Sequence, residues 1–309
     1  MASRRAFTAG ALGAAAASSL VLPRAHGAAV KVKLGIVRGS IHEVVAAALV
    51  ETLESLEHPV EARRGGHEEL FPLLARGEID LLSSAWLPGE HAVWRERYRD
   101  EISVAAVPYS DARHVWAVPP WVPETDVRTL EDLAKPEIAA RMADRTLRTG
   151  AVGSALSLVS REALAAYGLD GAGWRITAAS EKERDAALDA ALAAESWLVV
   201  PLDLPHRAWS ERKLRALGDP LLRLGVREHG VVMASRTLAT KIPKRSHDAL
   251  ARLVIGADGV AEMMRLVDVE SLPPREAFRA WGKKNPRLIE KWIPPLPTPA
   301  PTPAPAPDE

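Results

Sequence analysis

The 309-residue chain contains no cysteine. That absence removes disulfides, thiolate metal ligands and cysteine nucleophiles together, and it leaves no lipid-bearing cysteine near the N-terminus. Net charge is missing too, because 40 Lys and Arg offset 40 Asp and Glu. No overall field therefore draws the chain to nucleic acid or to an anionic membrane. Phenylalanine and tyrosine are scarce, at three each. The alanine-rich stretch running to Leu22 is too interrupted to anchor a membrane span. There is no Walker A run, no G-x-S-x-G elbow and no convincing carboxylate dyad, so nothing in the pattern argues catalysis and no enzyme is expected. His42, His91 and His206 come from three separated segments, and no two have metal-ligand spacing. Neither a metal nor a cofactor is expected.

Tryptophan, by contrast, is abundant, with nine residues. The most informative one sits in GEIDLLSSAWLPGEHAVWRERY, residues 77–98. The short apolar run at 79–82 has the length of a buried strand. Trp86-Leu87-Pro88-Gly89 then forms a turn that cannot continue it. Beyond the turn, His91, Trp94 and Tyr98 recur as on one helical face. Trp86 thus stands at the C-terminal end of a strand, where open α/β sheets place ligands. A plain core role fits the spacing equally well.

In chain order, Ser3-Arg4-Arg5-Ala6-Phe7 resembles a twin-arginine export motif, and residues 1–28 read as a processing segment. Residues 31–37 alternate and then turn apolar, as a first central strand should. Arg38-Gly39-Ser40 makes a turn, His42 follows it, and an amphipathic helix is expected over 43–56. A strand at 60–63 and a helix at 68–75 lead to the Trp86 segment, a β-α-β-α-β run that implies parallel strands and right-handed crossovers. Residues 102–107 and 114–118 read as two strands, the second ending at Pro119-Pro120, a plausible hinge. Thr129 to Leu133 is a capped helical start. The turn GAVGS, Gly150 to Ser154, opens a helix through Ala166 and presents free backbone N–H groups to an anion, although a plain tight turn explains it as well. A surface helix over 181–194 and a buried strand over 197–201 lead to Asp203 and His206. Residues 222–226 and 231–234 read as a return crossing. Helices over 246–255, 259–267 and 275–284 follow, with a last turn to Trp292. Residues 294–309, rich in Pro, Ala and Thr, read as an extended disordered tail.

Two blocks carry a resemblance. AWLPGEH after EIDLL, and Leu204-Pro205-His206 followed by Lys213-Leu214 and Gly218-Asp219-Pro220, resemble segments of the substrate-binding proteins of glycine betaine/choline ABC importers, the OpuAC-like family. Their order and spacing agree over most of residues 31–292. The resemblance implies an α/β, bilobal periplasmic-binding-protein fold of type II-like architecture, with two α/β lobes joined by a two-segment hinge. Lobe 1 would comprise 29–117 and 226–293, and lobe 2 would comprise 118–225. It also implies a monomeric, periplasmic receptor for a small amine or betaine that delivers its ligand to a membrane permease. An exported enzyme or a sensor-linked receptor on the same scaffold is the alternative.

The implied ligand-binding residues are Trp86, Trp116, Arg38, Ser40, His42, Asp203, His206, Gly150 and Ser154. Trp86 would offer an indole face to a cationic nitrogen. Trp116 would supply a further wall, with Tyr109 competing for that place. The family pattern is departed from at two points. Arg38-Gly39 stands where the first strand often leads to an aromatic, and Asp203 stands three before His206, where the family has a tryptophan. A carboxylate is useless to a fully methylated nitrogen as a hydrogen-bond acceptor but apt for one bearing N–H. Arg38 and Asp203 therefore either hold the two ends of a less methylated zwitterion or amino acid, or pair with each other across a closed cleft.

Overall fold

The computed structural model describes residues 30–292. The expected export segment and the proline-rich tail lie outside the described residues. Alternating and then continuous burial makes a central strand of β1 (Val32–Val37). It pairs in parallel with β2 (Val60–Gly65) and with β3 (Leu81–Leu87), the arrangement that the β-α-β-α-β reading implies. The helix between β1 and β2 runs over Ser40–Ser55, not from residue 43. Gly39, at φ 114°, takes a conformation open to glycine but strained for other residues, so the chain turns at once into the helix. That brings Ser40 and His42 into its first turn. A second helix, His67–Ala75, leads into β3.

β3 begins two residues later than the apolar run suggests and ends past Trp86, because a bulge inserts at Ser83 and Ser84. Ser84 sits at φ 56°. Bulges of this kind re-aim the side chains that follow them. The short helix Ala92–Arg97 follows the turn.

β4 (Ile102–Val118) is one 17-residue strand where the sequence suggested two. Pro108 cannot donate to a ladder, but here three register shifts absorb it. Its carbonyl accepts from Ile255 N and Gly256 N, which fixes the bend. After the capped 3-10 turn Leu130–Ala134 come β5 (Thr146–Thr149), the helix Ala155–Ala166 and β6 (Arg175–Ala178), with β5 and β6 forming a separate parallel pair. The helix Glu181–Ala193 leads to β7 (Val200–Leu204). β7 extends three residues beyond the expected strand, so Asp203 lies in the sheet opposite His114. β8 (Arg215–Ala216) pairs with the end of β4. Residues 222–226 form no strand, since Leu222 (φ 51°) and Gly225 (φ 90°) turn the chain; only β9 (Glu228–Ser235) makes the return crossing.

The main sheet has the order β2-β1-β3-β9-β4-β7, with β8 on β4. Its apolar packing divides along the chain. Two buried clusters draw on residues up to Ala112 and again from Val231, and include Leu34, Leu53, Phe71 and Trp281. Two others draw on Val115 through Leu224, and include Trp116, Trp174 and Leu202. β4, and the segment that leads from Leu224 into β9, cross between these cores.

Candidate functional site

Between the two sets of cores lies a cleft of about 580 Å³. One side is lined by the β1 end and the first turn of the following helix, Arg38, Ser40 and His42, together with His67, Trp86 and His91. The other side brings Ser154, Leu158, Arg184, Asp203 and His206. Two long helices therefore begin at the cleft, Ser40–Ser55 from one side and Ala155–Ala166 from the other. Unpaired N–H groups and the positive dipole end at such termini favour a carboxylate. Ser154 caps the second helix, accepting from Ser157 N at 3.3 Å.

Trp86 is held from all sides. Its backbone N donates to His91 Nδ1 at 3.0 Å, and its carbonyl accepts from His91 N at 3.0 Å. Its indole Nε1–H donates to the Tyr109 hydroxyl at 2.8 Å, which also hydrogen bonds with Ser84 Oγ at 2.9 Å. Burial pushes the Tyr109 phenol well above its ordinary range, so it stays a neutral partner. The ring of Tyr109 fits because Gly230 lies beneath it: a Cβ on Gly230 would stand 2.0 Å from Tyr109 Cζ. Gly230 is also the sheet partner of both Trp86 and Tyr109.

A charged wall stands beside the indole. His114 Nδ1 lies 2.7 Å from Asp203 Oδ1, and His114 Nε2 lies 3.3 Å from Glu90 Oε2. Burial alone would lower the His114 pKa, but the two carboxylates carry it up to about 10, so the ring is an imidazolium at neutral pH. Burial works to raise the Asp203 pKa, yet the bond from His114 leaves it below the usual carboxylate value. The His114 ring lies 5.1 Å from the Trp86 ring. Glu228, at the start of β9, accepts from Gly89 N and Glu90 N at 2.7 and 2.9 Å and so holds the turn that carries Glu90. Burial raises its pKa.

A neutral wall is formed by three imidazoles. His42 and His67 meet edge to face at 5.2 Å, and His67 and His91 lie 3.9 Å apart. Burial lowers the pKa of all three, that of His42 to about 3. His91 lies 3.6 Å from a Glu90 oxygen, but its Nδ1 accepts from Trp86 N, which requires the neutral ring. Among the described residues, no group of three or more His, Asp or Glu side chains has the arrangement to hold a metal ion.

Of the residues singled out from sequence, Trp86, Arg38, Ser40, His42, Asp203, His206 and Ser154 line this cleft. Gly150 does not. Trp116 does not either: it is fully buried in the second set of cores, with Nε1–H donating to Ser160 Oγ at 3.0 Å. It lies two residues past His114 on the same pleat, about 7 Å further along the strand and so beyond the cleft. Tyr109 is no wall, since it does not line the cleft, but the support of one. The alternative Arg38–Asp203 pair is absent among the described residues, since Asp203 is paired with His114.

A family model describing the substrate-binding domain of the ABC-type glycine betaine transport system, OpuAC, matches residues 30–284. The chain belongs to this family. A curated glycine betaine/carnitine transport binding protein of Listeria monocytogenes is 26% identical over 140 residues, covering 45% of this chain and 46% of that protein. The matched region thus spans about half the length of that relative. Among solved structures, the glycine betaine/L-proline ABC transporter binding protein of Borrelia burgdorferi superposes with a TM-score of 0.71 at 22% identity, over 85% of this chain and 97% of that one. The lactococcal OpuAC in its closed, liganded form with glycine betaine gives 0.70 at 20% identity, over 85% and 99%. Both share the bilobal fold. In this OpuAC-family member, sequence reasoning missed His67, Glu90, His114 and Arg184 as cleft residues. His114 had one available signal, a polar residue at the head of the apolar run 114–118; Glu90 and Arg184 lie in segments whose pattern is that of any solvated turn or helix.

Proposed function

We propose that the chain is the solute-binding component of an ABC importer, closing two lobes around a small betaine- or choline-like amine and presenting it to a membrane permease. One observation carries this reading: Trp86, 3% exposed and fixed by Tyr109 and His91, lines a cleft whose other features include a carboxylate wall and two helix N-termini. An indole attracts a cation without needing a hydrogen bond from it. Arg38, exposed at the rim and without an ion pair among the described residues, suits a ligand carboxylate. Membership of the OpuAC family, and the glycine betaine held by the lactococcal protein, support the same class of solute.

The lobes in this reading are 29–117 with 226–293, and 118–225; the separate cores support a two-lobe division, but with its first boundary a few residues earlier, between Ala112 and Val115. Ligand contacts are assigned to Trp86, Arg38, Ser40, His42, Asp203, His206 and Ser154. The twin-arginine-like start of the sequence supports export to the periplasm, where a monomer acting without catalysis suffices. A thermal-shift panel of glycine betaine, choline, carnitine, proline and glycine tests the function, because a ligand at 100 times its Kd stabilises by about 2.7 kcal/mol. At least one quaternary or zwitterionic amine is expected to raise the melting temperature and to be recovered unchanged. Turnover of that compound would point to an enzyme instead.

A further inference from the structure

The wall of the cleft is not built for methyl groups alone. Asp203 uses Oδ1 for His114, while among the described residues Oδ2 accepts no hydrogen bond. Its side chain is 41% exposed and lines the cleft. Glu90, at 25% exposure, places a second carboxylate on the far nitrogen of the same ring. Two negative charges thus flank one positive imidazolium, and the Arg184 charge, which also lines the cleft, acts on Asp203 as well. Among the described residues the tryptophans that line the cleft are Trp86 and Trp94. Trp94 is already stacked on Phe71 at 5.8 Å and on Tyr98 at 6.4 Å.

An indole face attracts any ammonium, methylated or not. A carboxylate oxygen does not treat them alike. Covered by N-methyl groups, Oδ2 would lose water and gain no hydrogen bond, which is a penalty for a charged acceptor. Covered by an N–H, it would gain a charge-assisted bond. We propose that this cleft prefers an amine zwitterion that keeps at least one N–H on its nitrogen, and that Asp203 is the residue that sets this preference. The inference rests on the reading of the protein as an amine receptor. In it Trp86 supplies the cation-binding face, Asp203 Oδ2 accepts from the ammonium, and Arg38 with the helix N-termini takes the carboxylate.

Titration calorimetry of the full chain against glycine betaine, N,N-dimethylglycine, N-methylglycine, glycine and choline tests this. The wild-type protein is expected to bind dimethylglycine or methylglycine about tenfold or more tighter than glycine betaine. Asp203→Asn, which keeps an oxygen for His114 but no carboxylate, should weaken the N–H-bearing ligands about tenfold and glycine betaine far less. Glycine betaine or choline as the tightest wild-type ligand would overturn the inference and leave the receptor reading standing. An equal loss for every ligand in Asp203→Asn would do the same. No binding by any of the five would remove the receptor reading and this inference with it. The wild-type ranking needs no variant, so it decides even if Asp203→Asn does not fold.

Discussion

At the scale of single residues, the cleft is a set of histidines sorted by their neighbours. His114 is held as an imidazolium by Asp203 and Glu90, whereas burial keeps His42, His67 and His91 neutral. The signs follow from linkage. For His114 the folded pKa of about 10 lies above the unfolded value near 6.5. Its stabilising contribution is complete below about pH 6.5 and fades as pH rises through about 10. The three neutral rings behave oppositely: their contribution is present above about 6.5 and is lost as pH falls. The melting temperature is therefore expected to drop between pH 7 and 10, and to drop less in His114→Gln. Because 1 kcal/mol corresponds to roughly 2–4 °C for a protein of this size, the two slopes should differ by about 2 °C or more over that window. Parallel slopes in calorimetric scans would show that the ring is not charged. Trp86 was legible from its turn, but the depth of Trp116 was not. Alternation tells which face of β4 a residue takes, and says nothing of where along the strand the cleft ends and the second core begins.

Elements were legible where a period was regular. The three parallel strands β1 to β3 and the helices between them follow from apolar runs and stop signals; Val44, Leu49 and Leu53 are buried as an amphipathic face requires, but burial is continuous over Val44–Val50 and so wider than that face. Strand ends were not, because bulges break the count: Ser84 prolongs β3, and the shifts around Pro108 fuse two expected strands into β4. The same irregular stretch makes the Trp86 support. Gly230 lies between Trp86 and Tyr109 in the sheet, and the Tyr109 ring covers it. A single methyl there must push the ring aside, and the ring is hydrogen bonded to Trp86 and Ser84. Gly230→Ala is expected to destabilise the protein by about 1–3 kcal/mol through overpacking and to weaken ligand binding through a displaced indole. Denaturant titration alongside calorimetry checks both; an unchanged midpoint and affinity would mean that the sheet yields without cost.

For the whole molecule, the division of cores explains why a cleft exists at all. Buried clusters end at Ala112 on one side and begin at Val115 on the other, so β4 and the segment into β9 join two packed bodies. Glu228, at that crossing, also grips the turn that carries Glu90, which ties the cleft wall to the crossing. The bilobal fold was legible through the family resemblance carried by the blocks around Trp86 and His206, whereas the single long crossing strand was not, since it read as two. The cleft was readable in part, Trp86, Asp203 and His206 among it, but His67, Glu90, His114 and Arg184 were not, because they come from turns, strands and helices far apart in the chain. The central claim is that Trp86 presents a cation-binding face to a small amine ligand. Its most direct test is titration calorimetry of the wild-type protein and Trp86→Ala with the tightest ligand of the amine panel. One ligand per chain is expected, with affinity in Trp86→Ala reduced about fivefold or more, or about 1 kcal/mol. Equal affinity in the two proteins would contradict the account.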